Sequence, residues 1–141
     1  WSFKLDDPKH LLNQAFKGKG FWHKDEIYQY KPENYVGGDK IRVLVSLDLN
    51  TEQTMKPLNR NEGLKTQYTE GGRTVPVSWI RTFEGGRVFY TNLGHNASTY
   101  WSPAVLQHYL DGLQYALGDL RADATPSSKI TREEVLAPPA P

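Results

Sequence analysis

The stretch from Pro76 to His95 limits the fold of this chain more than any other feature. Side chains from Val77 to Phe83 alternate with the period of two that is typical of a half-buried strand, and Arg87 to Leu93 is rich in strand-forming residues. Glu84, Gly85 and Gly86 stand between the two runs. A glycine pair permits the positive φ angles of a short hairpin loop, so the sequence predicts a β-hairpin here.

Gly94 and His95 directly follow the second predicted strand, and a helix is expected a few residues later. We therefore expect His95 in a strand-to-helix loop, at the edge where open α/β sheets bind ligands. Gly94 would let the backbone turn sharply or come close to a ligand. The alternative is a structural role, in which His95 only caps the loop through hydrogen bonds.

Length and composition exclude several classes of protein. A chain of 141 residues is the size of one domain, and its formal net charge of +1, without a Lys/Arg cluster, predicts no nucleic-acid partner. No apolar run approaches the length of a membrane-spanning helix, and no signal peptide is evident, so we expect no membrane insertion. The absence of cysteine excludes thiol nucleophiles and thiolate metal sites, while leaving the compartment open between cytoplasm and export.

Local patterns predict the other elements before residue 100. We expect a helix starting near Asp6 and running to Phe16, a strand over Phe21–Tyr30, a loop over Lys31–Asp39, a buried strand over Ile41–Leu49, and an aperiodic surface excursion over Asn50–Thr74. An excursion of that length is uncommon unless it is functional or mobile.

A helix is predicted from Ser102, which can act as the N-cap before Pro103, to a stop at Gly118. We expect this helix to pack on the sheet, and one apolar stripe runs along it: Leu106, Tyr109, Leu110, Leu113 and Leu117. Apolar periodicity then fades, so we predict one domain over residues 1–120 and an extended tail or interdomain linker over 121–141.

The segment from Trp22 to Tyr30 carries acidic and aromatic side chains together. If it is a strand, Asp25 and Glu26 point to opposite faces and cannot act as the facing carboxylate pair of a glycosidase. Glu26 flanked by aromatic rings would suit a sugar, and an ordinary half-exposed strand with a salt bridge remains equally open.

No metal or cofactor is predicted. The four histidines show no HExxH spacing and no helical i, i+4 pair. His23 and Asp25 could ligate a metal from one strand face, but they would need a third ligand such as His95.

Several motifs in order resemble the trehalose-utilisation (ThuA-like) domains. They are GKGFWHKDEIYQY from Gly18, RVLVSLDL from Arg42, PVSWIR from Pro76, EGGRVFYTNLGH from Glu84, and the helix ending at Gly118. The resemblance implies a class I glutamine amidotransferase-like architecture, which is a flavodoxin-like, three-layer α/β sandwich. We expect the chain to hold the C-terminal part of such a domain, without its opening strands. Glu84 departs from the usual family pattern.

The resemblance also implies a role in bacterial metabolism of trehalose or oxidised disaccharides. It points to His95, Glu26 and Asp25 as catalytic candidates and to Tyr28, Trp79, Gly94, Asn96 and Arg87 as substrate-binding ones, although a structural ion pair is the favoured role of Arg87. His95 would act as a general acid/base, since its ordinary pKa lies near neutral pH.

The reaction type stays open among hydrolase, lyase and isomerase chemistry, and thiol amidotransferase chemistry is excluded because it needs a cysteine. The expected partner is a small carbohydrate, with other domains of a longer chain or further copies of this one as additional partners. The alternative function is a noncatalytic carbohydrate-binding or protein-interaction module.

Overall fold

A computed structural model describes residues 1–28, 30, 39–70 and 74–140. Its centre is a five-stranded sheet in the order β2-β1-β3-β4-β5, in which every pair of neighbours is antiparallel. The strands are β1 (Ser2–Leu5), β2 (Phe21–Trp22), β3 (Arg42–Leu47), β4 (Pro76–Phe83) and β5 (Gly86–Thr91). The helices are α1 (Glu52–Asn59), α2 (Glu62–Glu70) and α3 (Pro103–Leu117), with 3₁₀ helices at Leu11–Phe16, Ala97–Trp101 and Ser127–Lys129.

The mixed α/β composition predicted from the sequence is confirmed. The predicted hairpin is also confirmed, because β4 and β5 pair from Phe83 and Gly86 to Ser78 and Thr91. The turn between them uses positive φ angles of 48° at Glu84 and 82° at Gly85. The flavodoxin-like three-layer sandwich stays a prediction.

The predicted buried strand is confirmed as β3, all six residues of which are buried. The aromatic strand predicted over Phe21–Tyr30 was wrong beyond Trp22, since β2 ends there and the described residues 23–28 belong to no strand. The predicted loop over 31–39 lies outside the described residues, apart from Asp39.

The start predicted for the first helix, near Asp6, was wrong. Asp6 and Asp7 are buried, and their carboxylates accept hydrogen bonds from Ser46 and Arg42 and cap no helix. The 3₁₀ helix begins instead at Leu11, and His10 caps it by accepting from the Leu12 N–H at 3.2 Å.

The aperiodic excursion predicted over Asn50–Thr74 was also wrong, because it contains α1 and α2. Leu58 and Leu64 are buried in the core, and the Thr54 hydroxyl accepts a hydrogen bond from the Ser2 N–H at 2.8 Å. Both helices are short, with eight and nine residues, and α1 contains Pro57, a residue that is disfavoured inside a helix.

Helix α3 packs on the sheet, but not through its leucine stripe. Its buried residues are Val105, His108, Gly112 and Tyr115, whereas Leu106, Leu110, Leu113 and Leu117 are 42% to 77% exposed. Gly112 permits the close approach of α3 to β5, because a Cβ at this position would come within 2.3 Å of the Phe89 ring.

The exposed stripe leads to a stability prediction with a matched pair of variants. Leu113→Gln should change the free energy of unfolding by no more than about 0.5 kcal/mol, as for other exposed positions. Tyr115→Ala, which empties a fully buried site on the same helix, should cost about 3 kcal/mol or more. Urea denaturation of both variants checks this, and an equal loss in the two would contradict the assigned burial.

The segment after α3 runs back along the domain. The Ser127 N–H donates to the Ile41 carbonyl at 2.9 Å, and the Ser127 hydroxyl accepts from the Val43 N–H at 2.9 Å. Val135 and Leu5 exchange two backbone hydrogen bonds of 2.9 Å. None of the helices in the described part of the chain combines the length and apolar character needed to cross a bilayer.

Candidate functional site

His95 lies in the loop between β5 and the 3₁₀ helix Ala97–Trp101, which confirms the position expected from the sequence. The loop leaves the hairpin at Asn92, whose N–H donates to the Val77 carbonyl at 3.0 Å. Gly94 adopts a φ of 137°, a conformation that side chains with a Cβ rarely adopt. The backbone of this loop therefore turns at the residue before the histidine.

The carboxylate of Asp25 holds the loop through its N–H groups. Oδ2 accepts from the Gly94 N–H at 2.7 Å and from the Thr99 hydroxyl at 2.8 Å, while Oδ1 accepts from the Asn96 N–H at 2.9 Å. A fourth donor is the Glu26 N–H at 3.0 Å. Asp25 thus fixes the backbone on both sides of His95.

Two tyrosines hold the same loop through its carbonyl groups. The Tyr100 hydroxyl donates to the Gly94 carbonyl at 3.0 Å, and the Tyr109 hydroxyl donates to the Leu93 carbonyl. A Cβ on Gly94 would come within 3.0 Å of both hydroxyl oxygens. Burial raises the pKa of Tyr109 to about 12, with smaller contributions from Tyr100 and Asp25, so its hydroxyl stays a donor at neutral pH.

Hydrogen bonds control the charge of Asp25. Burial alone would raise its pKa, but the donors from Asn96, Gly94, Thr99 and Glu26 outweigh burial and hold the pKa below its ordinary value. Asp25 is therefore a carboxylate at neutral pH.

His23 stands behind this carboxylate. Its Nε2 lies 2.8 Å from the Thr99 hydroxyl, which donates to Asp25, and 3.9 Å from Asp25 Oδ2. Burial lowers the pKa of His23, and the negative charge of Asp25 only partly offsets this. At neutral pH His23 is therefore mainly a neutral donor to Thr99.

Glu26, unlike the buried Asp25, has a half-exposed side chain, and this side chain contacts His95. Glu26 Oε2 lies 2.9 Å from His95 Nδ1, and the two side chains are 51% and 58% exposed. His95 Nε2 has no hydrogen-bond partner among the described residues. The structure thus joins His95 to the acidic-aromatic segment at the surface, with one ring nitrogen held and the other open.

The remaining candidates are divided between this loop and the sheet. Asn96 belongs to the loop, and its side chain donates to the Lys24 carbonyl at 3.0 Å. Trp79 stacks on Tyr90 with ring centroids 4.9 Å apart, and the Tyr90 hydroxyl also contacts the Tyr30 hydroxyl. Tyr28 is about half exposed, two residues beyond Glu26.

Arg87 is not brought to the His95 loop. It stands near the start of β5, four residues before Thr91, which is about 13 Å along a strand. Its guanidinium lies beside Gly118, where a Cβ would come within 2.7 Å of Nη1. A cation at the C-terminal end of α3 is favoured by the helix dipole, so this position suits a structural role.

Two of the clefts formed by described residues have volumes of about 370 Å³, and neither of these two is lined by His95 or Glu26. One lies between Phe21 and the start of α3, and the other lies beside Arg42. The described residues contain no cluster of three or more His, Asp or Glu side chains that could hold a metal ion.

Thr99, Tyr100 and Tyr109 were not predicted as site residues. Tyr109 belongs by spacing to the apolar stripe of α3, and its donation to a loop carbonyl depends on how the helix docks. No local pattern distinguishes such a tyrosine from one that only packs. The contact of Thr99 with Asp25 spans 74 residues of chain, so no local pattern could have predicted it.

Fold and site together define a mixed α/β domain in which a histidine on a surface loop contacts a glutamate at 2.9 Å. The sequence profile of the trehalose utilisation (ThuA) family matches residues 1–116, and the chain belongs to that family. No curated protein and no solved structure matches the chain.

Proposed function

We propose that this domain processes a carbohydrate, trehalose or an oxidised disaccharide derived from it, and that His95 is its general acid/base. The family supports a role in trehalose utilisation. The observation that carries the catalytic assignment is the 2.9 Å contact between His95 Nδ1 and Glu26 Oε2 on an exposed loop.

Glu26 gives the imidazole a defined orientation. When the carboxylate accepts the Nδ1 proton, the neutral ring keeps its lone pair on Nε2, which is the open nitrogen. Nε2 can then take a proton from a sugar hydroxyl or from a carbon next to a keto group, and return it to the product. Glu26 also stabilises the imidazolium formed in between, although solvent weakens an ion pair this exposed.

The other candidates take supporting roles in this proposal. Asp25 is a positioning residue, since its oxygens are occupied by the loop and its side chain is buried. Tyr28 and Asn96 lie beside the histidine–glutamate pair along the chain and would contact the sugar. Trp79 would contribute an aromatic face, and Arg87 stays structural.

The test is turnover of trehalose and of 3-keto-trehalose by wild type, His95→Ala and Glu26→Gln. We expect His95→Ala to lower kcat by about 10² or more, as for a lost general acid/base, and Glu26→Gln to lower it less. Arg87→Gln is the matched control, because its side chain lies far along β5 and should leave kcat unchanged. Full activity of His95→Ala with unchanged folding would remove the catalytic assignment.

A noncatalytic carbohydrate-binding module is the second candidate. It is favoured by the exposed rings of Tyr28, Tyr100 and Trp101 near the loop. It predicts sugar binding, measured by calorimetry, that survives His95→Ala and fails in Tyr28→Ala. The first candidate predicts loss of turnover in His95→Ala instead.

We further propose, from the family resemblance, that the domain is bacterial. We also propose that its sheet forms part of a flavodoxin-like, class I glutamine amidotransferase-like sandwich. β3, the central strand of the sheet, is buried along its whole length, which supports an architecture with both faces covered.

A further inference from the structure

The leucine stripe of α3 is an apolar surface on the side of the helix that faces away from the sheet. Leu106, Leu110, Leu113 and Leu117 are all exposed, whereas the residues of α3 that pack on the sheet are buried. Because an α-helix turns by about 100° per residue, the four leucines fall within about 60° of its circumference. They therefore form one narrow, continuous stripe.

The spacing of this stripe is that of a seam between two paired helices. Successive leucines are separated by four, three and four residues, which places them at alternating d and a positions of a heptad. A helix that only covers a core has a wider apolar face, while a strict a and d stripe is typical of helices that pack side by side. The buried residues of α3 occupy the c and f positions of the same heptad, so the seam does not overlap the face on the sheet.

Other occupants of such a stripe fit these observations less well. A small molecule needs a concave site, and none of the four leucines lines either of the two clefts of about 370 Å³. A helix that lies on a membrane surface carries Lys and Arg beside its apolar face. Apart from the buried His108, the only ionisable acidic or basic residue of α3 is Asp111. A second helix is therefore the best-fitting occupant.

The pattern points to α3 of a second copy of this chain. A spacing of four, three and four reads the same in both directions, so an antiparallel copy places Leu106 against its Leu117 and Leu110 against its Leu113. The e and g positions that flank the seam are occupied by Gln107, Tyr109, Gln114 and Ala116. None of these side chains is charged at neutral pH, so two copies can meet without repulsion between like charges.

We propose that α3 is the interface of a two-fold symmetric dimer, in which the leucine stripes of two antiparallel helices pack together. The antiparallel direction also brings the positive end of each helix dipole near the negative end of the other. A helix of 15 residues is about 22 Å long, so this interface lies at the small end of specific interfaces. We expect a dissociation constant on the order of 10 µM. The dimer does not depend on the function proposed for His95.

Sedimentation velocity of the full chain tests the association. Between about 1 µM and about 300 µM protein, we expect the weight-average mass to rise from that of the monomer toward twice that value, as mass action requires. A mass that stays at the monomer value throughout overturns the proposal. Growth beyond the dimer also overturns it, because a two-fold interface closes on itself.

Matched leucine variants locate the interface. Leu113→Gln changes a residue that the fold of the monomer does not need, so it should weaken association about tenfold or more, while the free energy of unfolding measured at low protein concentration stays unchanged. Leu136→Gln replaces an exposed leucine of the tail and should associate like wild type, as should His95→Ala. Wild-type association of Leu113→Gln, or an equal loss in Leu136→Gln, overturns the assignment to the leucine stripe.

Introduced thiols test the direction of the two helices. The chain contains no cysteine, so Leu106→Cys and Leu117→Cys each carry a single thiol. In antiparallel helices these two positions face each other, so we expect a disulfide-linked dimer when the two variants are oxidised as a mixture and far less when either is oxidised alone. Cross-linking of each variant alone with no gain on mixing, or no cross-link in the mixture, overturns the antiparallel arrangement.

Discussion

Asp25→Ala is expected to lower the free energy of unfolding by about 3 kcal/mol or more, because several buried donors lose their acceptor at once. The N–H groups of Gly94 and Asn96 and the hydroxyl of Thr99 all donate to this carboxylate. The loop that carries His95 would also lose its fixed geometry, so turnover should fall even though Asp25 does not face solvent. Urea denaturation measures the first effect, and hydrogen exchange of the Gly94 and Asn96 amides measures the second.

The neighbouring carboxylate supplies the control. Glu26→Ala removes a carboxylate that is about half exposed, and it should change the free energy of unfolding by no more than about 0.5 kcal/mol. Asp25→Asn keeps the shape of the side chain but places an NH2 group next to other hydrogen-bond donors. We therefore expect it to lower the free energy of unfolding by less than Asp25→Ala does. Equal free energies of unfolding for Asp25→Ala and Glu26→Ala would show that the hydrogen bonds to the Asp25 carboxylate do not hold the loop.

The position of His95 after the hairpin could be predicted from the sequence because it follows from local periodicity. A hairpin with a glycine turn brings the residues after β5 to the end of a strand. The contact between His95 and Glu26 joins residues 69 positions apart in the chain, so only the family resemblance suggested that they meet.

The fold was less predictable where tertiary contacts override local pattern. Strand β1 is an example. Its residues show the period of two of a strand, since Trp1, Phe3 and Leu5 alternate with Ser2 and Lys4, but so short a run is hard to distinguish from a loop by sequence alone.

The leucine stripe of α3 predicted the helix but not the face of the helix that is buried. Periodicity shows that a helix has an apolar face but does not show which face is covered. In this structure a glycine and a histidine are buried on α3, while four leucines are exposed.

His108 is fully buried, although it lies outside the apolar stripe that predicted α3. Its Nδ1 lies 2.7 Å from the Leu12 carbonyl, so the neutral ring donates there, and its Nε2 lies 2.7 Å from the Ser78 hydroxyl, which is also 3.0 Å from the Tyr90 carbonyl. Phe16 and Phe89 pack against the ring at centroid distances of 5.2 and 5.3 Å. Burial lowers the pKa of His108 to about 4, and the Leu12 carbonyl and Asp111 only partly oppose this.

Stability should therefore fall on acidification through the window between pH 6.5 and about 4. In this range the unfolded chain binds a proton at His108 and the folded chain does not, so each step down in pH favours unfolding. From pH 7 to pH 4.5 this single group should remove about 2 to 3 kcal/mol from the free energy of unfolding.

A variant isolates the contribution of His108 by difference, because burial also lowers the pKa values of His10 and His23 and these two residues act in the same direction. We expect His108→Gln to be less stable than wild type at pH 7, but to lose about 2 to 3 kcal/mol less on going to pH 4.5. Urea titrations of both proteins at the two pH values measure this, and parallel pH profiles would show that the buried imidazole does not govern acid stability.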